Sequence, residues 1–591
     1  MFIKWLPMII IVGLVSINGL WADVPATNTH IPAVPNFLEP LFFQTVESMV
    51  FPPEASGMVS DPFSDLAWNP AFVLRPQKKM IYLDYSAHNE TPSLLLGDFS
   101  KSFGTTARIP NEEIRTEMYG IPQPVNNQPL VNIAAIIPIS KRLSLGILNK
   151  TTVDRQPFLD AWYAPKWDSY YDHNRNLNDF DENSQTASGV QTEISLGYSF
   201  GGGVVDVGAR FGYYRYSRSG DFSDLWREQL LDETIDNSNG VSLDSTGEHT
   251  DLGLGVVLHI GSSTQLGVSV GQTNGDCDEG FEFMETRDQH LEGTYYYYTY
   301  DRFYENDFLS NGNSWNGNES SGHRDYFTVT LEQTFGPKWT IRSFLSYSDY
   351  TATSDGSVDF KYLREDNDFD TYQYSSGNRY YLDHYIYDRT FNVQGSGRHD
   401  ASRWQWFASA IYHPSKNWSF FSGVQLQHYR VKEEFQEKSV YQYNYTHEDT
   451  GTYPDLWEKM VQWERNYQVN TEFDQWRIYL PLGMKVSLNK KLELLLGADL
   501  TLTVSNADQT GDEVYPLIIE KYWDEGEMEA SSAQTDVRTT YRDHSPKVLD
   551  RQVRHHVGLT YHAAKGLDIY LRSFGNIFDT ANWSFGLMYR W

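Results

Sequence analysis

The last nine residues, Trp583-Ser584-Phe585-Gly586-Leu587-Met588-Tyr589-Arg590-Trp591, alternate apolar with small or polar side chains, Met588 apart, and stop on an aromatic carboxy-terminal residue. Side chains along a strand point to opposite faces in turn, so Trp583, Phe585, Leu587, Tyr589 and Trp591 share one face. Ser584, Gly586 and Arg590 lie on the other. An apolar face beside a polar one suits a strand with lipid on one side and an aqueous lumen on the other.

The same grammar recurs from about residue 79 onward, as strand pairs on very short turns separated by long polar insertions. Gln191 to Phe200 and Val204 to Arg215 hinge on Gly201-Gly202-Gly203, with Val205, Val207, Ala209, Phe211 and Tyr213 on the apolar face. Leu252, Leu254, Val256, Leu258 and Ile260 repeat it, as do Trp404, Trp406, Ala408 and Ala410, and the run from Trp476 to Val486. Pro481 interrupts that last run, and because proline removes a ladder donor a local bulge is expected there. The polar insertions near 153–188, 218–248, 273–323, 352–400, 433–470 and 506–550 are expected to be loops on one side of a membrane. The count predicts an all-β fold, a transmembrane antiparallel β-barrel of about 16 strands (14 to 18) occupying residues 79–591.

The amino terminus agrees with export. Lys4 precedes an apolar stretch, Trp5 to Ile17, too short to span a bilayer, and the run closes at Gly19-Leu20-Trp21-Ala22. This predicts a cleaved signal peptide over residues 1–22. No later window reaches the ~20 apolar residues of a transmembrane helix, and mean hydropathy is −0.52. Cys277 is the single cysteine, which excludes an intramolecular disulfide framework. The formal charge of −31 excludes a general nucleic-acid partner, which requires a basic face. Outer-membrane lipid is the partner that remains, with the location predicted as a bacterial outer membrane.

Residues 23–78 form a proline-containing segment expected to be periplasmic or to plug the lumen. It carries Asp61, Asp65, Trp68, Asn69 and Pro70 within Ser60-Asp61-Pro62-Phe63-Ser64-Asp65-Leu66-Ala67-Trp68-Asn69-Pro70-Ala71-Phe72. Gly57, Asp61, Asp65, Ala67 and Asn69-Pro70-Ala71 resemble the stretch that precedes the first strand in FadL/OmpP1-type outer-membrane transport proteins. Ile137-Pro138-Ile139-Ser140-Lys141-Arg142-Leu143-Ser144-Leu145-Gly146 is similar to that family's second hairpin. The resemblance covers roughly residues 50–150. It implies a hatch folded into the lumen and passage of hydrophobic molecules such as long-chain fatty acids. The ending Trp583 to Trp591 likewise resembles the terminal-strand signal read by the bacterial barrel-assembly machinery.

Register places Asp206, Arg210, Glu332, Arg342, Arg477, Glu493, Asp499, Arg554 and Arg572 on the lumen face. Two accounts fit them: opposite charges pairing across the interior, or an electrostatic constriction selecting solutes. Their number departs from a purely greasy path. The loop Asp276 to Arg324 holds Tyr295-Tyr296-Tyr297-Tyr298 among carboxylates, a combination that binds sugar rings but also makes ordinary wettable loops. Asp366-Asn367-Asp368-Phe369-Asp370 lacks the turn glycine and terminal Glu of an EF-hand, and the acidic run Asn178-Asp179-Phe180-Asp181-Glu182 is read as solvated surface. His555 and His556 face opposite ways and cannot share a metal. No metal site and no cofactor is expected. Gly-x-Ser-x-Gly, phosphate-loop and His-Glu-x-x-His motifs are absent, so an enzyme ranks last. The expected function is passive uptake of a small solute, hydrophobic ones included; the alternative is a surface-recognition or structural barrel with an occluded lumen.

Overall fold

In the computed structural model, the described residues are Leu38, Thr45, Val46, 59–86, 104–109, 112–117, 131–157, 166–167, 184–230, 233–291, 300–303, 310–374, 377–452, 454–574 and 583–591. The expected signal peptide, Tyr295 to Tyr298 and Asn178 to Glu182 lie outside them.

Sixteen strands close one antiparallel barrel. In chain order they are β1 (Met80–Ser86), β2 (Val131–Pro138), β3 (Leu143–Pro157), β4 (Ser184–Phe200), β5 (Val205–Leu230), β6 (Glu233–Ile260), β7 (Thr264–Leu291) and β8 (Ser310–Phe335). The wall continues through β9 (Trp339–Tyr374), β10 (Gly377–Ser415), β11 (Trp418–Asp449), β12 (Asp455–Ser487), β13 (Leu492–Asp524), β14 (Val537–Ala564), β15 (Leu567–Phe574) and β16 (Trp583–Arg590). Closure is made by β1, which pairs with β16 from Met80↔Arg590 to Ser86↔Ser584 and with β2 on its other side. Two short strands, Tyr300–Phe303 and Glu527–Gln534, extend the sheet at hairpin tips. A separate small sheet joins Gly104–Ile109, Glu112–Glu117 and Lys166–Trp167.

A belt of outward apolar side chains surrounds the turn end. Leu252 and Leu254 are each 59% exposed, and Ile194, Val270, Ile341 and Phe585 are exposed as well. So large a continuous apolar surface is stable only against lipid, and the alternate residues beneath it face inward. Aromatic rings mark both edges. Tyr198 with Phe200, Trp339 with Tyr412 and Tyr589 with Trp591 ring the turn rim, while Trp404 with Trp476 lies at the far rim. Among the described residues no helix is long and apolar enough to cross a membrane. The crossing is made by strands.

The tight turns take the backbone into left-handed space where glycine is free to go: Gly201, Gly202 and Gly203 have φ of 60°, 71° and 97°. The opposite side differs from expectation. Where the polar insertions are described, as over 218–230, 233–248, 273–291, 352–374, 377–400 and 433–449, they are not loops but continuations of the strands, so that β9 and β10 run 36 and 39 residues and pair to the tip at Tyr374↔Gly377. At ~3.4 Å per residue, 36 residues measure roughly 120 Å along the strand, where a membrane crossing takes about ten. The sequence hides this because the outward row must turn polar once it leaves lipid. The inward row mixes apolar and polar groups: in β11, Val431, Phe435 and Tyr441 are buried alongside Glu433, Glu437 and Ser439, while Lys432, Glu434 and Gln436 are exposed.

Pro481 is also corrected. Its strand runs in one register past it, from Ser422↔Leu482 to Gln425↔Tyr479 on one side and through Pro481↔Asp499 on the other. The missing N–H interrupts two ladder partners without inserting a residue, so no bulge forms.

Candidate functional site

A short segment of the chain crosses the lumen just inside the turn end. Asp61 starts it by accepting hydrogen bonds from the backbone N–H of Phe63 (3.0 Å) and Ser64 (2.7 Å), and its other oxygen accepts from the Thr45 hydroxyl at 2.7 Å. One helical turn, α1 (Asp65–Trp68), follows, then a 3-10 turn over Pro70–Leu74 in which proline opens the turn and the Asn69 side chain accepts from the Ala71 N–H.

What receives this segment is a row of missing side chains. Gly197 of β4, Gly208 of β5, Gly255 of β6 and Ser269 of β7 are cross-strand partners in succession, so they form one line across four strands on the inner wall. Residues 68–74 lie along that line. A Cβ on Gly197 would meet Val73 at 2.5 Å, one on Gly208 the Ala71 nitrogen at 2.4 Å, and one on Gly255 the Asn69 Oδ1 at 2.1 Å. At the end of the row the Ser269 hydroxyl donates to the Trp68 carbonyl at 2.6 Å. Asn69 Nδ2 then donates to the carbonyls of Val256 and Val268, 3.2 Å each, fastening the segment to two adjacent strands.

Charges secure the other side. Arg342 Nη2 lies 2.8 Å from Asp65 Oδ2, with both side chains fully buried, and its Nε is 3.1 Å from Glu332. Arg75 bridges the same two carboxylates, at 2.7 Å to Asp65 and 3.2 Å to Glu332. Two acids and two guanidiniums therefore form a closed, electrically neutral square between segment and wall. Arg210 makes a second tie: it pairs with Asp251 at 2.9 Å and donates to the Tyr326 hydroxyl oxygen at 2.7 Å and to the carbonyls of Leu66 (3.2 Å) and Ala67 (3.1 Å). Those carbonyls belong to the helical turn, where a cation is favoured.

Apolar packing fills the remaining width. Phe63, Leu66, Phe72 and Val73 join Tyr82, Ile136, Leu148 and Met588 in one cluster. Trp68 reaches the opposite wall, edge-on to Phe344 at 5.5 Å and to Phe407 at 5.6 Å. Replacing Trp68 with alanine is expected to cost about 3–5 kcal/mol of docking free energy, read as lost amide hydrogen-exchange protection over residues 61–75.

The nine inward charges thus divide. Arg210, Glu332 and Arg342 converge on the lumenal segment. Asp206 pairs with His259 at 2.7 Å near the turn rim, and Glu493 pairs with Lys485 at 2.6 Å. Asp499 is buried against His556 at 2.5 Å and stands opposite Arg554 in the ladder. Arg572 donates to the carbonyls of Leu559 and Leu571 and to Thr560. Arg477 is buried on β12 beside Gln427 and Thr503 in register. The nine do not form a single constriction. Of the segment candidates, Asp61, Asp65, Trp68, Asn69 and Pro70 are all buried.

Sequence reasoning missed Arg75, Asp251, Tyr326 and the glycine row. The row was present as a signal: Gly197, Gly208 and Gly255 all fall on the inward phase of their strands. Beyond the lipid belt Arg465 lies between Glu437 and Glu513, and burial pushes the Glu437 carboxyl above its ordinary range while Arg465 opposes it. Among the described residues no group of three or more His, Cys, Asp or Glu is placed to hold a metal.

No protein-family model and no curated protein matches the chain. Among solved structures, it is similar to a Pseudomonas aeruginosa FadL homologue at 11% identity, covering 90% of this chain and 95% of that one with a TM-score of 0.32. A CymD monoaromatic hydrocarbon channel matches at 12% identity, 80% and 96% coverage and a TM-score of 0.30. The ferric-catecholate import receptor Fiu of E. coli matches at 8% identity, 87% and 81% coverage and 0.23. The architecture stated above rests on the closed ladder and the lipid belt of this chain itself.

Proposed function

We propose that the protein is an outer-membrane transport barrel, turns in the periplasm and long hairpins outside, held shut at rest by residues 59–75 acting as a plug. The observation that carries this reading is the fully buried Asp65–Arg342 pair, which joins a removable segment to the wall. A group buried that completely only to hold a neighbour in place belongs to a docking surface, and its partner charges shield it from the lumen. The substrate is a small solute that moves down its gradient when the plug leaves. Phe344, Phe407, Phe421 and Leu495, buried around Trp68 while the plug is docked, become the wall of the path when it leaves, which favours solutes with an apolar part, hydrophobic ones included. Barrel assembly by the outer-membrane machinery, with Trp583, Phe585, Leu587, Tyr589 and Trp591 as its signal, belongs to the same proposal.

The test is planar-bilayer conductance of the mature protein with and without residues 23–75. The intact chain is expected to be silent and the shortened chain to conduct; equal conductance from both would sink the plug. A second reading, a surface-recognition barrel, is favoured by the height of β9 and β10 above the belt. It predicts that trimming those hairpins abolishes cell-surface binding and leaves solute uptake alone.

A further inference from the structure

Just above the lipid belt, on the outer surface of the wall, lies a cleft of about 410 Å3. The ladder defines its floor. Tyr213, Thr250, Asn274 and His323 are successive cross-strand partners on β5, β6, β7 and β8, and one step further from the membrane Glu248, Asp276 and Ser321 are partners in the same way. All seven side chains face outward. Two steps below the first row, in the same phase, stand Leu254, Val270 and Phe327. Same-face rows are spaced by ~7 Å, so greasy wall gives way to the cleft within about 14 Å. A molecule in the cleft therefore has its polar part at headgroup level and room for acyl chains directly beneath.

The chemistry of the cleft selects the headgroup. Tyr213 offers an aromatic face, and its hydroxyl donates to Glu248 at 2.7 Å, which fixes both groups. Asp276 and Glu248 accept hydrogen bonds, Asn274 both donates and accepts, and Thr250 and Ser321 do either. Ring faces rich in C–H stack on an aromatic and sugar hydroxyls satisfy carboxylates and amides, whereas a phosphate here meets the two carboxylates of the lining, against one guanidinium at its edge, that of Arg215, the cross-strand partner of Glu248.

We propose that this cleft binds the uncharged sugar headgroup of a glycolipid in the outer leaflet, an inference that rests on the orientation proposed above. The carboxylates accept from sugar hydroxyls, Tyr213 stacks against the ring, and the acyl chains lie along the outward rows of β6 and β7. The site is on the outer wall and shares no residue with the plug, so its occupancy and the opening of the pore are separate measurements.

The test is native mass spectrometry of the full mature protein in phosphatidylethanolamine nanodiscs doped with a diacyl monoglucosyl lipid. Phosphatidylglycerol and free maltose are the competitors. The wild type is expected to retain the glucosyl lipid in preference to phosphatidylglycerol. Asn274→Ala with Asp276→Ala should weaken retention by about tenfold, the scale of lost hydrogen bonds to a charged group. These side chains face outward, and the heat-induced gel shift of a folded barrel verifies that the variant is intact. Asp325→Asn, which faces outward on the row between, serves as the neighbouring control and should leave retention unchanged. Equal retention by wild type and variant, preference for phosphatidylglycerol, or displacement by free maltose would each overturn the proposal. None of these outcomes bears on conductance, so the transport reading is judged separately.

Discussion

Asp65→Ala is expected to turn a silent barrel into a conducting one. The substitution removes the carboxylate that Arg342 and Arg75 both pair with, taking one negative charge out of a cluster of two acids and two guanidiniums. Removing one partner of a buried pair costs about 3–5 kcal/mol because the remaining charge is left without a counterion. At 1.4 kcal/mol per decade, the docked-to-undocked ratio falls by roughly two to three orders of magnitude. Single-channel open probability measures this directly. Asp65→Ala combined with Arg342→Met restores neutrality and should recover part of the silence, which separates a charge effect from loss of packing. Unchanged silence in Asp65→Ala would mean that the square of charges stabilises the wall without holding the segment.

Gly208→Val approaches the same event by sterics. Its Cβ would lie 2.4 Å from the Ala71 nitrogen and 2.4 Å from the Pro70 carbonyl carbon, and these are backbone atoms that no rotamer change can move. The segment must lift off the wall, so hydrogen exchange over Pro70–Leu74 should accelerate and the pore should open. Gly255→Ala meets the Asn69 side chain and the Pro70 ring, and displaces the hydrogen bonds of Asn69 to Val256 and Val268, so an effect of the same sign is expected. Ala209→Val, the lipid-facing neighbour, is the control and should behave as wild type. A Gly208→Val chain with native protection would refute the docking surface.

The barrel was legible in the sequence because its rule is local. Each strand near the membrane reads apolar on one phase and polar on the other, and the turn at Gly201-Gly202-Gly203 declares itself. The height of the hairpins was not legible. Glu434, Gln436 and Lys438 read as loop because the cue relied on an apolar outward row, and that row exists only where lipid touches it. Half of the site was readable: phase alone put Arg210, Glu332 and Arg342 inside, and the Asn-Pro-Ala stretch drew attention to residues 69–71. Which carboxylate meets which guanidinium depends on where a distant segment lies, as Asp65 and Arg342 are 277 positions apart. Phase does not carry that information. The glycine row is a subtler case, since each glycine looks unremarkable in its own strand. Only the register, Gly197↔Gly208↔Gly255, turns them into one surface.

That row also orders the birth of the molecule. Its four strands are consecutive in the chain, while the seam that closes the barrel joins β1 to β16 across almost the whole sequence. Contacts between near neighbours form early and the most distant pairing forms late. The cradle for residues 68–74 is therefore expected to form while the sheet is still an open, curved ribbon. The segment is then expected to settle into it from the side and to be enclosed as the seam zips, so that hydrogen exchange during refolding should protect Pro70–Leu74 before the β1–β16 pairing.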